Sequence, residues 1–206
     1  GLDGIAYLWQ VTASSPITNP TSLPLGDRIL ALAFSPDGSR IAAGGTNDII
    51  RIWDLASDSH IDLTEYPDDV TMIKFSPDGR WLAVLDFQQV LIVDPEAGKI
   101  VSAAPLKEGS YAGLVFTPDG RRLFASSFTG SIGVFEVNDA GMLAALPKIQ
   151  LADTKAKLEK VLPVGLTIDP AGKTLWAVLN LKNAVAEIDL AEGAIRREIA
   201  VGNAPY

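Results

Sequence analysis

Apolar residues in this chain fall in short runs separated by turn-forming clusters, and the runs recur. Ile29–Phe34 is apolar throughout, Arg40–Gly45 is mostly apolar, Ile49-Ile50-Arg51-Ile52-Trp53-Asp54-Leu55 is rich in β-formers, and a weaker run covers residues 60–64. Runs of this length between Gly, Pro, Asn and Asp clusters predict strands, and a run without alternation predicts a strand buried on both faces. The succession returns at residues 70–75, 81–85, 90–94 and 99–103, at 111–116, 123–127, 132–137 and 143–151, and at 164–168, 174–179, 185–190 and 195–201. Each set gives four strands and one sheet in about forty residues.

A turn at fixed phase punctuates the pattern. Phe34-Ser35-Pro36-Asp37-Gly38 recurs as Phe75-Ser76-Pro77-Asp78-Gly79, as Phe116-Thr117-Pro118-Asp119-Gly120 and, degraded, as Ile168-Asp169-Pro170-Ala171-Gly172, with prolines 41, 41 and 52 residues apart. Proline presets φ at the first corner, Asp suits the second, and Gly takes the left-handed position after it. These aspartates are turn residues by this reading. Repeated four-stranded sheets of this size predict the blades of a β-propeller, and Ala42, Ala43, Ala83, Ala125 and Ala177 are expected where adjacent sheets approach closely.

The expected organisation is one all-β propeller over residues 1–206. A half blade covers 1–25 and four complete blades cover 26–65, 66–104, 105–151 and 162–202, with an insertion at 138–162 in which residues 152–160 favour helix by composition. The half blade rests on strand signals at 5–11 and 22–25, which match the third and outer strands of a blade. Gly1 opens inside a strand-like pattern and Tyr206 stops on a loop, so a fragment of a longer chain is expected. The propeller is then an open arc. The alternative is that four blades close on themselves and leave the N-terminal strands outside the ring.

Composition narrows the function classes. The chain is 48 % hydrophobic with 20 % charged residues, a net charge of −8 and no cysteine. An acidic chain is repelled by phosphate backbones and anionic lipid, so neither nucleic acid nor a membrane is an expected partner. No apolar run approaches the roughly 18 residues of a spanning helix, and the compartment stays open. With one histidine, His60, on a predicted outer strand, neither a zinc site nor a Ser-His-Asp triad is expected. No phosphate-binding glycine loop is present, and Gly44-Gly45 predicts close packing at a strand end. Asp68-Asp69 could hold a cation with nearby carbonyls, or simply line a polar loop. No cofactor and no catalytic residue is expected. Trp9, Trp53, Trp81 and Trp176 fall on strands, where core packing is the expected use.

The Ser-Pro-Asp-Gly corner followed by Ile52-Trp53-Asp54-Leu55 resembles WD-repeat propellers, most closely over residues 1–57 and in a bacterial form. Leu175-Trp176-Ala177-Val178-Leu179-Asn180, Ala184-Val185-Ala186-Glu187-Ile188-Asp189-Leu190 and Ala200-Val201-Gly202-Asn203-Ala204-Pro205-Tyr206 resemble the YVTN repeat. Gly26-Asp27 stands where WD repeats carry Gly-His, so that family's buried His–Ser–Asp–Trp network is not expected. The resemblance implies a non-catalytic binding or interaction module. It also admits the accessory propeller of a metal-dependent phosphoesterase of the alkaline phosphatase superfamily and, least, a lactonase-like propeller enzyme.

Topology places a candidate binding face. Loops entering each blade share one face with the loops between second and third strands, and loops on a rigid scaffold are where binding residues concentrate. That face would carry Asp27, Arg28, Asn47, Asp48, Tyr66, Asp68, Asp69, Asp86, Gln88, Tyr111, Phe128, Asn180, Lys182, Asn183 and Tyr206. The expected partners are a protein or small ligand on this face, and either the remaining blades or a second copy at the open ends.

Overall fold

A computed structural model of the chain describes residues 1–11, 20–46, 48–64, 69–106, 109, 113–151 and 161–202. Its strands form one two-stranded and four four-stranded antiparallel sheets. The short sheet pairs β1 (Ile5–Leu8) with β2 (Thr21–Pro24). The first full blade contains β3 (Ile29–Phe34), β4 (Arg40–Gly45), β5 (Ile50–Asp54) and β6 (Ser59–Leu63). The second contains β7 (Met72–Phe75), β8 (Leu82–Leu85), β9 (Gln89–Asp94) and β10 (Lys99–Pro105). The third contains β11 (Leu114–Phe116), β12 (Arg122–Ser126), β13 (Ser131–Val137) and β14 (Leu143–Gln150), and the fourth β15 (Pro163–Ile168), β16 (Thr174–Leu179), β17 (Ala184–Asp189) and β18 (Ala194–Ala200). Every sheet is a meander in chain order, and among the described residues none joins the first strands to the last. This is the all-β, blade-type architecture the repeats predict.

Two-sided burial explains the apolar runs. Successive strand residues point to opposite faces of a sheet. In the second blade, Leu82, Val84, Leu91 and Val93 pack toward the first blade with Ala31, Ala42, Ile50 and Ile52. Their neighbours Ala83, Leu85, Val90 and Ile92 pack toward Phe116, Leu123 and Phe135 of the third. Phe124, Ile132 and Val134 then meet Leu175, Ala177, Leu179 and Ile188 of the fourth. Ala42, Ala43, Ala83, Ala125 and Ala177 are all fully buried, as expected of residues at close sheet contacts. A Cβ on Gly44 would sit 2.6 Å from Val70 Cγ1, and one on Gly45 would run into the Arg28 carbonyl oxygen.

The first blade departs from the sequence expectation. Ala31 and Ala33 face the second blade, but Leu30, Leu32 and Phe34 on the other face of β3 are exposed. The two-stranded sheet covers only the outer part of this blade, through Ala6, Leu23 and Leu25 against Ile41, Ala43 and Trp53. β3 is therefore buried on one face, not two. Trp53 is core as expected, whereas Trp9 lies beyond the end of β1 and is exposed.

The corners are built by side chains as the turn chemistry predicts. Ser35 donates to Asp37 at 2.6 Å, whose carboxylate also accepts the Ser39 N–H at 3.0 Å. Ser76 with Asp78 and Thr117 with Asp119 repeat the contact at 2.6 Å each. The fourth corner lacks the hydroxyl. There Asp169 accepts both the Lys173 and Thr174 N–H groups at 2.7 Å, so one carboxylate does the work of two side chains. The serine hydroxyl and the Ser39 donors hold the Asp37 carboxyl down to about 2.

Outer turns reach back to the preceding blade. The turn before β14 sets its Gly141 against the Trp81 ring, where an added Cβ would lie 3.1 Å away. Ser102 donates to the Gly141 carbonyl at 2.6 Å and Arg80 to that of Asp139 at 2.7 Å. Arg40 meets Glu96 of the next blade at 3.4 Å. The outer strand expected at 143–151 is β14 at residues 143–150, and the helix-favouring 152–160 lies outside the described residues.

Candidate functional site

The described loops at one end of the blades are tied to one another by backbone hydrogen bonds. The Thr46 N–H donates to the Arg28 carbonyl at 3.2 Å, and Val70 to Gly45 at 3.0 Å. Leu106 donates to Gln88 at 2.6 Å, Phe128 to Gly109 at 3.1 Å, Asn180 to Leu162 at 3.0 Å and Val201 to Asn183 at 2.8 Å. Each bond joins a loop that enters or leaves a blade to the turn between second and third strands. The two loop sets therefore share one face.

Asp27, Arg28 and Asp48 are exposed there, and Asp69 is half-buried. The Asp27 carboxylate caps the Arg28 N–H at 2.6 Å. Asp48 and Asn183 hold left-handed backbone at φ 56° and 50°, a region Asp and Asn enter more readily than most residues. Gln88 and Phe128 are exposed turn residues. Asn180 opens a short 3-10 turn, Asn180–Lys182, and Lys182 pairs with Glu198 at 3.1 Å. Asp86 differs from its neighbours: its carboxyl is buried beneath its turn and accepts the Gln88 and Gln89 N–H groups. It shapes the face without being offered to a ligand. Asn47, Tyr66, Asp68, Tyr111 and Tyr206 lie outside the described residues, and with Asp68 goes the suggested cation pair.

Two exposed residues of this face escaped the sequence reading, Phe87 and Leu181. Each sits within a short polar turn. The signal that could have found them is their common phase with Phe128, two residues past the end of the second strand.

The opposite, corner face holds clefts between consecutive blades. The one between the first and second blades, about 650 Å3, is lined by Asp37, Asp78, Asp94 and Glu96 together with Arg40 and Arg80. Both guanidiniums are engaged, Arg40 with Glu96 and Arg80 with Asp78 at 3.6 Å and the Asp139 carbonyl. Such clefts are charge-compensated seams. His60 lies exposed on β6, 4.0 Å from an Asp62 carboxylate that Arg51 already holds at 2.6 Å. Among the described residues no cluster of His, Cys, Asp and Glu is placed to ligate a metal, and no helix is long and apolar enough to cross a membrane.

Comparison with known proteins agrees with this architecture. Residues 22–54 match the WD domain, G-beta repeat. The matched stretch runs from β2 through the first corner to Trp53-Asp54 at the end of β5. The small ribosomal subunit protein RACK1 of Schizosaccharomyces pombe is 28 % identical over 118 residues, 53 % of this chain and 38 % of that protein. MST50-interacting protein 11 of Pyricularia oryzae is 26 % identical over 134 residues, 61 % of this chain and 42 % of its own length. Human coronin-7 is 32 % identical over 142 residues, 62 % of this chain and 15 % of coronin-7. The chain spans less than half the length of each of these relatives. Match and relatives together support a WD-repeat β-propeller.

Proposed function

We propose that this WD-repeat-type propeller is a non-catalytic module that binds a protein partner on its loop face. The observation that carries the reading is the backbone hydrogen bonding that fixes the loops of each blade to one another on that face, from Arg28 in the first blade to Asn183 in the fourth. Turns fixed in this way present side chains without a large ordering cost on binding. The similarity to a protein whose name records an interaction with another protein supports a protein as the partner.

The experiment is capture from a cell lysate by three purified forms of the chain. The wild type should retain a defined set of proteins, and Asp27→Lys with Asp69→Lys on the loop face should lose it. Glu96→Lys with Ala171→Arg on the corner face should not. Equal capture by all three forms removes the reading.

The finer identity is a piece of a bacterial protein with a YVTN-like second half: the pattern of residues 1–57 supports the bacterial form, and residues 175–180, 184–190 and 200–206 quoted above support the YVTN-like half. Sequencing the reading frame beyond Tyr206 tests it: a following metal-dependent phosphoesterase domain selects the accessory-propeller reading, and a run of further WD-type blades rejects it.

A further inference from the structure

We infer that the cleft between the third and fourth blades on the corner face binds a small dicarboxylate through Arg122 and Lys173. Its charged lining is Asp119 and Arg122 of the third blade and Lys173, Asp189 and Arg196 of the fourth, around a volume of about 530 Å3. The cleft lies on the face opposite the loops, so it does not depend on the loop-face reading. The repeats make it directly comparable with the cleft between the first and second blades, because equivalent positions can be counted from the corner proline. Four residues after that proline stand Arg40, Trp81, Arg122 and Thr174, and three after it stand Ser39, Arg80, Arg121 and Lys173.

One framework is filled in three ways at the three seams between full blades. In the first cleft Arg40 pairs with Glu96 at 3.4 Å and Arg80 with Asp78 at 3.6 Å. At the second seam Trp81 replaces the arginine, and the Gly141 turn packs on its ring. At the third seam the arginine returns as Arg122, and Lys173 stands where Arg80 stood, but both acids are gone. Glu96 is the second residue after Asp94 at the end of β9, and its counterpart after Asp189 at the end of β17 is Ala191. The two turns are built alike: Asp94 accepts the Glu96 and Ala97 N–H groups, and Asp189 those of Ala191 and Glu192. The counterpart of Asp78 in the degraded corner is Ala171. The first cleft therefore sets four carboxylates against two cations, and the third seam two carboxylates against three cations.

The acids that remain are already engaged. Asp119 accepts the Thr117 hydroxyl at 2.6 Å and the Arg121 N–H at 3.0 Å. Asp189 holds Arg196, whose Nε donates to it at 3.0 Å. Asp169, at the position of Ser76, is turned to the Lys173 and Thr174 N–H groups. Glu192 and Glu136, the latter across the strand pair from Arg122, do not line the cleft. Among the described residues neither the Arg122 guanidinium nor the Lys173 ammonium has a carboxylate within 4.0 Å. Both side chains are exposed. A ligand carboxylate at each cation supplies what Glu96 and Asp78 supply in the first cleft, a charge-assisted contact. Pro118, Ala171, Leu190 and Ala191 add apolar lining, which suits the short carbon chain of a dicarboxylate. The net charge of −8 opposes any anion at long range. Exposed charges more than about 8 Å away are largely screened at physiological salt, so the nearby cations dominate.

The test is equilibrium dialysis of radiolabelled succinate against the intact 206-residue chain at low salt. Saturable binding that weakens as sodium chloride is added is expected. Arg122→Gln with Lys173→Gln should weaken it about tenfold or more. Ala171→Asp with Ala191→Glu rebuilds the acids of the first cleft and should weaken it as much. Both alanines are exposed, so the urea midpoint should not fall; if it does, the glutamine variant carries the test by itself. Arg40→Gln in the first cleft should leave succinate binding unchanged. Acetate, with one carboxylate, should compete about tenfold less well than succinate. No saturable binding, binding that survives the glutamine pair or the rebuilt acids in a folded chain, loss of binding in Arg40→Gln, or equal competition by acetate overturns the proposal. Inorganic phosphate that outcompetes succinate and is lost in the same variants also overturns it, in favour of a phosphate site.

Discussion

Phe34, Phe75 and Phe116 open the same corner in the first three blades, yet they live in different surroundings. Phe75 and Phe116 are 9 % and 7 % exposed, each covered by a preceding blade with Ala31, Ala42 or Ala83 in the shared layer. Phe34 is 50 % exposed, because the sheet before it contributes only β1 and β2. Burial at this position is a property of the neighbour and not of the residue. In a stack of repeats each unit finishes the one beside it.

The largest test of that contrast is truncation. Phe116→Ala or Phe75→Ala should cost about 3–5 kcal/mol in urea unfolding, while Phe34→Ala should cost less than about 1 kcal/mol. Similar losses at all three sites would mean that Phe34 is covered in solution. The second test asks what covers it. Leu2, Tyr7, Trp9, Leu30, Leu32 and Phe34 leave a large apolar area open around β1 and β3, and monomers rarely expose more than a few hundred Å2 in one patch. Sedimentation should show self-association of the 206-residue chain at micromolar concentration, reversed by Leu32→Asp with Phe34→Asp. A compact wild-type monomer would end this account.

A smaller effect separates seams that have a reach-back turn from the one without. Gly141 and Gly193 both hold positive φ, at 75° and 64°, but a Cβ on Gly193 meets nothing within 4 Å. Alanine should cost about 1–2 kcal/mol of backbone strain at either position. Gly141→Ala should lose a further 1 kcal/mol or so against Trp81, measurable as a lower urea midpoint. The smallest effect concerns the exposed corner. The Asp37 carboxyl titrates at about 2 in the fold and near 3.9 when unfolded. Its stabilisation is complete above the unfolded value and disappears as pH falls through the folded one. The stability gap between wild type and Asp37→Asn should therefore be present at pH 6 and shrink between about pH 4 and 2. A gap that does not change with pH would assign the corner's worth to shape alone.

The repeats, the corners and the small interface residues were legible because each is dictated locally. A Pro-Asp-Gly turn needs no knowledge of its surroundings, and an alanine between β-formers announces a close contact. Exposure of Leu30 and Leu32 was not legible, since their run looks the same whether or not a blade stands beside it. On the loop face, Asp86 looked like an offered carboxylate, but a turn that needs two N–H groups satisfied draws it inward. Phe87 and Leu181 were passed over as single apolar residues among polar ones, and only alignment of the turns in space gives them a common position.

The reach-back turns also bear on how the chain acquires its structure. Ser102 finds Gly141 39 residues downstream, and Arg80 finds Asp139 at a separation of 59. The contacts that lock one seam thus become available as soon as the next blade has left the ribosome, and none of them waits for a distant part of the chain. Closing loops of this length adds little entropy cost from one seam to the next. Growth can proceed from the N-terminal side one blade at a time, each new hairpin being received by a surface that is already in place.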